Sequence, residues 1–143
     1  MMVRRGLLLV ALSLSLAACA TSGPSPAPQS LLRSDLGPDW LRWPPNDGCD
    51  GAEMAATLPP GVKIDRYGRD TGSYFAVPGT PYEARSLPYN PALQPYAVYV
   101  VVKPLPVQQC KIAAWFGEPG GGEQFKAAEP AVQLISEGVI ARQ

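Results

Sequence analysis

The sequence predicts an α+β domain with a central, mostly antiparallel sheet, short peripheral helices and one C-terminal helix. Three observations lead to this fold class. Residues 62–67 alternate in polarity, and residues 73–77 follow a glycine-bounded turn as the returning strand of a hairpin. Residues 96–103 form an apolar, β-branched run that is typical of a buried strand. Pro130 and Gly138 bracket a helical pattern, with Pro at the first turn and Gly at the left-handed C-cap position.

The N-terminus has the layout of a secretory signal. Two arginines precede an apolar run over residues 6–16 that is short for a bilayer span, and small residues follow. The run ends at Leu16-Ala17-Ala18-Cys19, which resembles a bacterial lipobox, a signal cut before a cysteine that is then lipidated. We therefore expect residues 1–18 to be a signal peptide and Cys19 to anchor the chain in a membrane of the cell envelope. In a Gram-negative cell this would be the outer membrane or its periplasmic face. The alternative is an ordinary signal peptide in which Cys19 is incidental.

The chain after Cys19 divides into a tether and one domain. Residues 19–30 are rich in Pro, Ser and Ala and lack the apolar surface to fold, so we expect a flexible tether. Residues 31–143 follow as the domain, and the mature chain of about 125 residues is long enough for one core. Cleavage removes two of the 12 basic residues and no acidic one, leaving ten against 12. This net charge of −2 argues against nucleic acid as the main partner.

The cysteines suggest a disulfide rather than a metal site. Once Cys19 is lipidated, Cys49 and Cys110 are an even pair in an oxidising compartment. A bridge between them would close a loop of about 60 residues and stabilise the fold by about 3 to 4 kcal/mol. Two free buried thiols are the alternative. The chain has no histidine, and two cysteines alone do not complete a tetrahedral zinc site, so we expect no metal.

The first half of the domain is predicted to be irregular before it becomes a hairpin. Residues 31–43 regain apolar side chains around Gly37-Pro38, which favours short pieces packed onto the domain. Residues 50–57 are expected to form a brief helix that ends before the prolines at 59 and 60. The hairpin of residues 62–77 follows.

The second half carries the strongest strand and the helix. We place residues 96–103 at the centre of the sheet. Residues 110–115 and 124–127 are expected to be short strands leading into and away from a glycine-rich loop. After the helix, residues 139–141 are expected to add an edge strand.

The glycine-rich loop, residues 115–125, is the most distinctive local feature. Two adjacent aromatic residues, a turn and three successive glycines precede another aromatic residue. Since glycine has no Cβ, such a backbone can lie against a ligand. A flexible linker would be flanked by polar residues, and the loop matches neither a Walker loop nor a dinucleotide fingerprint. We expect a binding loop of another kind.

Several short motifs occur in a fixed order and together resemble one known family. They are Asp65-Arg66-Tyr67-Gly68, Gly79-Thr80-Pro81, Arg85-Ser86-Leu87-Pro88, Lys103-Pro104-Leu105-Pro106-Val107, Trp115-Phe116-Gly117, Pro119-Gly120-Gly121-Gly122, Gln124 and the helix of residues 132–138. The set resembles the tuberculosis necrotizing toxin (TNT) domain family, which includes secreted NAD glycohydrolases of bacteria and fungi. The resemblance runs from about residue 57 to residue 143.

The resemblance implies an activity and a set of site residues. The activity is hydrolysis of NAD+ or NADP+ as substrate, releasing nicotinamide, with no cofactor or metal required. By position, Gln124 is similar to the family's catalytic glutamine, and Arg66 and Arg85 are similar to its ligand-binding arginines. The residues expected to line or cradle the dinucleotide are Tyr67, Tyr74, Phe75, Phe116, Gly120, Gly121 and Gly122. Alternatively, each arginine is a surface cation or a partner for Asp65 or Glu83, and Gln124 is an exposed polar residue after a turn.

One departure from the family pattern bears on catalysis. Some bacterial members carry a functional histidine just before the central strand, where this chain has Ala97. The chemistry does not demand it, because the cationic pyridinium of NAD+ leaves as neutral nicotinamide, whereas an ordinary glycoside needs a protonated leaving oxygen. Gln124 can accept and donate hydrogen bonds without any tuning of a pKa.

The sequence therefore predicts an envelope-anchored NAD+ glycohydrolase, a toxin or an enzyme acting on external dinucleotide. An inhibitor or immunity protein is an additional expected partner, because a cell that makes such an enzyme must protect its own NAD+. The alternatives are a catalytically inactive lipoprotein that binds a nucleotide or a protein with the same fold, and a lipoprotein that uses the fold only structurally.

Overall fold

The computed structural model describes residues 31–36 and 42–143 of the chain. The expected signal peptide, the expected lipidation site Cys19 and the tether up to residue 30 lie outside the described residues, so these three features stay predictions. Within the described ranges, no helix combines the length and the apolar character that a bilayer crossing requires.

A seven-stranded sheet dominates the structure. The strands are β1 (Met54–Leu58), β2 (Lys63–Tyr67), β3 (Tyr74–Ala76), β4 (Tyr96–Val101), β5 (Leu105–Lys111), β6 (Glu123–Ala127) and β7 (Ile140–Arg142). Their order across the sheet is β1-β5-β6-β3-β2-β4-β7, and each neighbouring pair of these strands is antiparallel. The predicted antiparallel sheet, its β2–β3 hairpin and its C-terminal edge strand are confirmed.

Helical structure is sparse in the part of the chain that the structure describes. One short α-helix, α1 (Ala131–Ser136), follows Pro130, and Gly138 adopts the left-handed conformation (φ 64°) two residues after it. Three single 3-10 turns complete the set, at Asn46–Gly48, Glu83–Arg85 and Pro91–Leu93. The C-terminal helix is confirmed, and the other predicted peripheral helices are only these turns, so the fold is richer in sheet than the expected class.

Two predictions about strands were wrong, and a third, the strand expected over residues 110–115, overlaps β5 (Leu105–Lys111) only at its first two residues. The expected helix over residues 50–57 is instead the edge strand β1, which pairs with β5 from Met54↔Gln109 to Leu58↔Leu105. Its alanines favour a helix locally, but helix propensity is a weak preference that pairing with a neighbouring strand overrides. The second error concerns β4, which was expected at the centre and lies beside the edge strand β7. An apolar run indicates that a strand is buried, but it does not indicate that the strand is central. In β4, Tyr99 and Val101 are completely buried although the strand lies next to the edge.

The core connects every strand to the helix. Its buried side chains are Leu58, Ile64, Phe75, Ala97, Tyr99, Val101, Leu105, Val107, Phe125, Ala127, Ala131, Leu134 and Ile140. Tyr99 is fully buried, and its hydroxyl donates a hydrogen bond to Asp70, so its polar tip is satisfied. Because each strand contributes to one packed cluster, the relative positions of the central strands are fixed. The positions of the side chains that project from these strands into the cleft described below are therefore fixed as well.

Candidate active site

The candidate site is a cleft of about 870 Å³ bordered by the neighbouring strands β6, β3 and β2. Six of the residues predicted from the sequence line it: Arg66, Tyr67, Tyr74, Phe75, Arg85 and Gln124. Four others, Phe116, Gly120, Gly121 and Gly122, are not among its lining residues. The two residues nearest to the expected chemistry, Arg66 and Gln124, are thus brought to one cavity although they lie far apart in the sequence.

The strand register determines which residue of β2 shares a face of the sheet with Gln124. Gln124 on β6 is opposite Ala76 on β3, and Ala76 is opposite Asp65 on β2. Directly paired residues project from the same face of a sheet, and neighbouring strands are about 4.8 Å apart. Gln124 and Asp65 therefore face the same side at a separation of about 10 Å. Arg66 is the next residue of β2, so its side chain points to the opposite face. It reaches the cleft near the end of β2, where Gly68, Gly72 and Tyr74 also line it.

Gln124 is half-buried, and its two amide atoms have different surroundings. The side-chain nitrogen Nε2 donates to the backbone oxygen of Asp47 at 3.1 Å and lies 3.8 to 3.9 Å from the two sulfurs of the Cys49–Cys110 disulfide. The oxygen Oε1 accepts no hydrogen bond from the described residues. An acceptor with no protein donor is thus available at the cleft.

Arg66 is a partly buried cation without an ion-pair partner in the described part of the chain. Its Nη1 donates to the backbone oxygen of Tyr74 at 2.8 Å, while its Nε is buried and has no hydrogen-bond partner. Burial lowers the pKa of Arg66, and the nearby Tyr99 and Asp70 oppose that shift in part. A Cβ at Gly72 would overlap with this guanidinium, so the glycine gives it room. The group remains charged at neutral pH and can bind an anion.

Arg85 is committed to a buried ion pair. Its Nη1 and Nη2 donate to the two carboxylate oxygens of Asp65 at 2.7 and 2.8 Å, and its Nε donates to the backbone oxygen of Thr80 at 3.0 Å. The side chain of Asp65 is fully buried and that of Arg85 is 5% exposed. The hydroxyl of Tyr96 also donates to Asp65 at 2.8 Å, and burial raises the pKa of Tyr96 to about 12, which keeps that donor protonated. Arg85 therefore has the alternative role predicted from the sequence, as the ion-pair partner of Asp65. The pair adds no net charge to the cleft.

The predicted aromatic walls differ in how much surface they offer to a ligand. Tyr67 packs edge-on against Tyr82 at 4.9 Å between ring centroids and lies under the Arg85 guanidinium. Tyr74 is 39% exposed, whereas Phe75 is 2% exposed and belongs mainly to the core. Tyr67 and Tyr74 are therefore the predicted aromatic residues that present a face or an edge to the cleft.

Phe116 is buried behind the cleft wall. It packs edge-to-face against Trp43 at 5.8 Å between ring centroids, and Trp43 is 66% exposed and lines the cleft. Sequence reasoning had assigned no role to Trp43. A tryptophan in a segment that is expected to pack onto the domain would have been the sequence feature that indicates a contact with a ligand.

The glycine-rich loop packs against protein instead of a ligand. The amides of Gly120, Gly121 and Gly122 donate to the backbone oxygens of Glu83, Ile112 and Ala84 at 3.4, 2.8 and 3.0 Å. A Cβ at Gly122 would lie 2.7 Å from the Ala84 oxygen. The glycines thus let the loop approach the Glu83–Arg85 turn, and their amide hydrogens are already used. Their expected contact with a dinucleotide has no support in this geometry.

The predicted pairing of Cys49 with Cys110 is present as a disulfide with a Cα–Cα distance of 5.6 Å. Cys110 is directly opposite Gln124 in the β5–β6 ladder, so the bridge fixes the Asn46–Gly48 turn beside the candidate catalytic amide. Within the described ranges, no group of three or more His, Cys, Asp or Glu residues could hold a metal ion.

Fold and site together define an antiparallel-sheet domain with a cleft whose lining includes a guanidinium without an ion-pair partner and an amide carbonyl without a donor among the described residues. The chain belongs to the tuberculosis necrotizing toxin family, whose sequence model matches residues 57–142. The turn at Asn46–Gly48 and Trp43 lie outside that matched region.

Known relatives agree with this assignment. The conidial surface nicotinamide adenine dinucleotide glycohydrolase of Aspergillus fumigatus is 40% identical over 94 residues, which are 61% of this chain and 40% of the relative. The chain therefore spans less than half the length of that curated relative. The solved structure of tuberculosis necrotizing toxin complexed with its immunity factor matches with a TM-score of 0.58 and 28% identity, covering 69% of this chain and 60% of the other.

Proposed function

We propose that this chain is a glycohydrolase that cleaves the bond between nicotinamide and ribose in NAD+ or NADP+, without a cofactor. The observation that carries the proposal is the convergence of Arg66 and Gln124 on one cleft. Membership of the family and the similarity to a fungal NAD glycohydrolase support it. The products are nicotinamide and ADP-ribose, or the 2′-phosphorylated form of ADP-ribose when NADP+ is the substrate.

The charge and size of the cleft suit a dinucleotide. Small-molecule sites have volumes of about 300 to 1,000 Å³, and this cleft is within that range. Arg66 can bind the pyrophosphate because a guanidinium offers paired donors of fixed geometry. Arg69 is exposed at the same cleft, and its side chain makes no hydrogen bond or ion pair with the described residues. The Arg85–Asp65 pair is neutral overall, so these two cations give the substrate phosphates a favourable field.

The chemistry uses the free oxygen of Gln124. When the C1′–N bond breaks, its electron pair neutralises the pyridinium nitrogen, and positive charge develops on the ribose. Oε1 of Gln124 accepts a hydrogen bond from the attacking water or from a ribose hydroxyl, and its dipole stabilises the charge that develops in the transition state. The water oxygen then bonds to C1′ and releases its proton to solvent. No step requires a histidine.

The decisive experiment is a cleavage assay on the purified full chain. We expect NAD+ to be converted to nicotinamide and ADP-ribose in equal amounts, measured by liquid chromatography against a heat-denatured control. Titration calorimetry on the same sample separates the alternatives. Binding of NAD+ without release of nicotinamide would favour an inactive nucleotide-binding protein, an alternative motivated by Ala97 at the position of the family histidine. Absence of both binding and release would contradict the proposal.

We also propose that the chain is anchored in the cell envelope through a lipid on Cys19. The apolar run and the lipobox-like sequence that ends at Cys19 support this proposal. We expect Cys19→Ser to move the protein from the membrane fraction to the soluble fraction, because lipid chains provide the membrane affinity. Ser25→Ala, a change in the following segment, is the matched control and should stay with the membrane. Wild-type protein that fractionates as soluble would contradict the anchor.

An inhibitor protein is the proposed macromolecular partner, and the domain is proposed to act as a toxin. The solved relative is in complex with its immunity factor, which supports this proposal for a domain of the same fold. A protein that covers the cleft would abolish nicotinamide release and reduce the exposure of Trp43.

A further inference from the structure

The turn Asn46–Gly48 is hydrogen-bonded to the Gln124 amide. An amide group is planar, so holding its nitrogen also determines where its oxygen points. Here the backbone oxygen of Asp47 accepts the hydrogen bond from Nε2 of Gln124, which leaves Oε1 without a protein donor in the described part of the chain. The carbonyl that binds the amide comes from outside the matched family region, 57–142.

This turn adopts a backbone conformation that needs external support. Asn46, Asp47 and Gly48 have φ values of 51°, 54° and 85°, three successive residues in the left-handed region. Residues other than glycine rarely adopt it, and they persist there when the surrounding structure holds them. The position of the Asp47 carbonyl therefore depends on what anchors the turn.

The carboxylate of Asp47 supplies two anchors beside Gln124. Its Oδ1 accepts a hydrogen bond from the hydroxyl of Tyr74 at 3.1 Å, and its Oδ2 forms an ion pair with Nζ of Lys126. Tyr74 and Lys126 are directly opposite each other in the β3–β6 ladder, two residues along from the pair Ala76 and Gln124. The hydrogen bond with Lys126 lowers the pKa of Asp47, so the carboxylate is ionised at neutral pH.

Covalent and backbone contacts fix the other end of the turn. The Cys49–Cys110 disulfide joins it to β5, directly opposite Gln124. The amide of Asp50 donates to the oxygen of Lys111, and the amide of Ala113 donates to the oxygen of Gly48, both at 2.8 Å. The turn is thus tied to β5 by the bridge and to β3 and β6 by the Asp47 side chain.

We propose that Asp47 is a positioning residue for Gln124, which it orients through its carbonyl while its carboxylate holds the turn on β3 and β6. The inference rests on the proposed function, in which Gln124 is the residue that contacts the reacting atoms. A positioning residue acts on the transition state through another group, so its loss lowers kcat more than it raises KM.

The test variant is Asp47→Gly, because glycine keeps the left-handed backbone and removes both side-chain anchors. We expect kcat for NAD+ to fall about tenfold with KM within about twofold of wild type. Asp47→Asn should restore kcat to within about threefold, because asparagine tolerates this conformation and still accepts from Tyr74. The matched control is Asp50→Asn, because Asp50 is an exposed carboxylate of the same loop whose side chain makes no hydrogen bond or ion pair with the described residues. This variant should match wild type.

A measurement that does not depend on turnover separates this inference from the proposed function. The side-chain amide signal of Gln124 in a nitrogen–proton correlation spectrum is assigned by its absence from Gln124→Ala. We expect it to be shifted and protected in wild type and to move to the position of a free amide in Asp47→Gly. If the wild type is inactive, this signal alone still decides whether Asp47 orients Gln124.

Two results would overturn the inference. One is an unchanged Gln124 amide signal in Asp47→Gly, and the other is a rise in KM at constant kcat, which would make Asp47 a substrate contact. If Asp47→Gly does not fold, as judged by thermal melting, the variant Lys126→Met tests the inference in its place. It removes the partner of Oδ2 alone, and we expect it to reproduce at least a threefold loss in kcat and a change in the amide signal.

Discussion

Replacing Gln124 by Ala is expected to lower kcat/KM for NAD+ at least about 100-fold, the usual effect of removing one preorganised polar group from a transition-state site. The physical reason is that Oε1 of Gln124 has no protein donor in the described part of the chain and is available at the cleft. The substitution leaves Arg66 in place, so binding of NAD+ should survive. Initial rates of nicotinamide release and calorimetric binding measure the two effects separately.

The control for this prediction is another glutamine of the same sheet. Gln108 is exposed on β5, and its side chain makes no hydrogen bond or ion pair with the described residues, so Gln108→Ala should have wild-type kcat/KM. Gln124→Met keeps most of the side-chain volume and removes both polar atoms, so it tests the amide without opening a cavity. Wild-type turnover in Gln124→Met would show that the amide has no catalytic role.

The parts of the fold that the sequence predicted correctly depend on local signals. The alternating pattern of β2, the glycine-bounded turn before β3, the proline before α1 and the glycine after it act within a few residues. The prediction of a helix over residues 50–57 was wrong because the partner of β1 is β5, which is distant in the sequence. The position of β4 failed for a related reason, since burial of its side chains does not specify which strands flank it.

The site was predictable in its residues but not in their partners. The family resemblance identified Arg66 and Gln124, and both line the cleft. Whether Arg85 binds Asp65 or a ligand could not be decided from residue types, because the guanidinium suits both. The role of the glycine-rich loop could not be decided for a similar reason, since a missing Cβ allows close approach to a ligand and equally to the backbone oxygen of Ala84.

The turn that holds Gln124 has a weaker sequence signal. Asn46-Asp47-Gly48 is a sequence that favours left-handed turns, and its glycine precedes Cys49 of the predicted disulfide. The bridge to Cys110 and the strand that starts near residue 123 together place this turn beside Gln124. That inference needs the β5–β6 register, which no local pattern supplies.

Removing the guanidinium of Arg85 is expected to destabilise the fold by about 3 to 5 kcal/mol, because Asp65 would be left as an unpaired buried charge. The side chain of Asp65 is fully buried and receives both terminal nitrogens of Arg85. Arg85→Met keeps the apolar part of the side chain, so the loss reports the ion pair rather than a cavity. Urea unfolding followed by tryptophan fluorescence measures it.

Two comparisons make this prediction specific to the buried pair. Arg142→Ala breaks the ion pair between Arg142, which is 52% exposed, and Asp70, and it should destabilise the fold much less than Arg85→Met, because solvent screens an exposed pair. The double variant Asp65→Asn, Arg85→Met removes both charges and should recover most of the stability lost in Arg85→Met, because no buried charge remains unpaired. Equal decreases in the free energy of unfolding in the single and double variants would mean that Arg85 stabilises the fold by packing alone. Its guanidinium would then again be a candidate for binding the substrate phosphates.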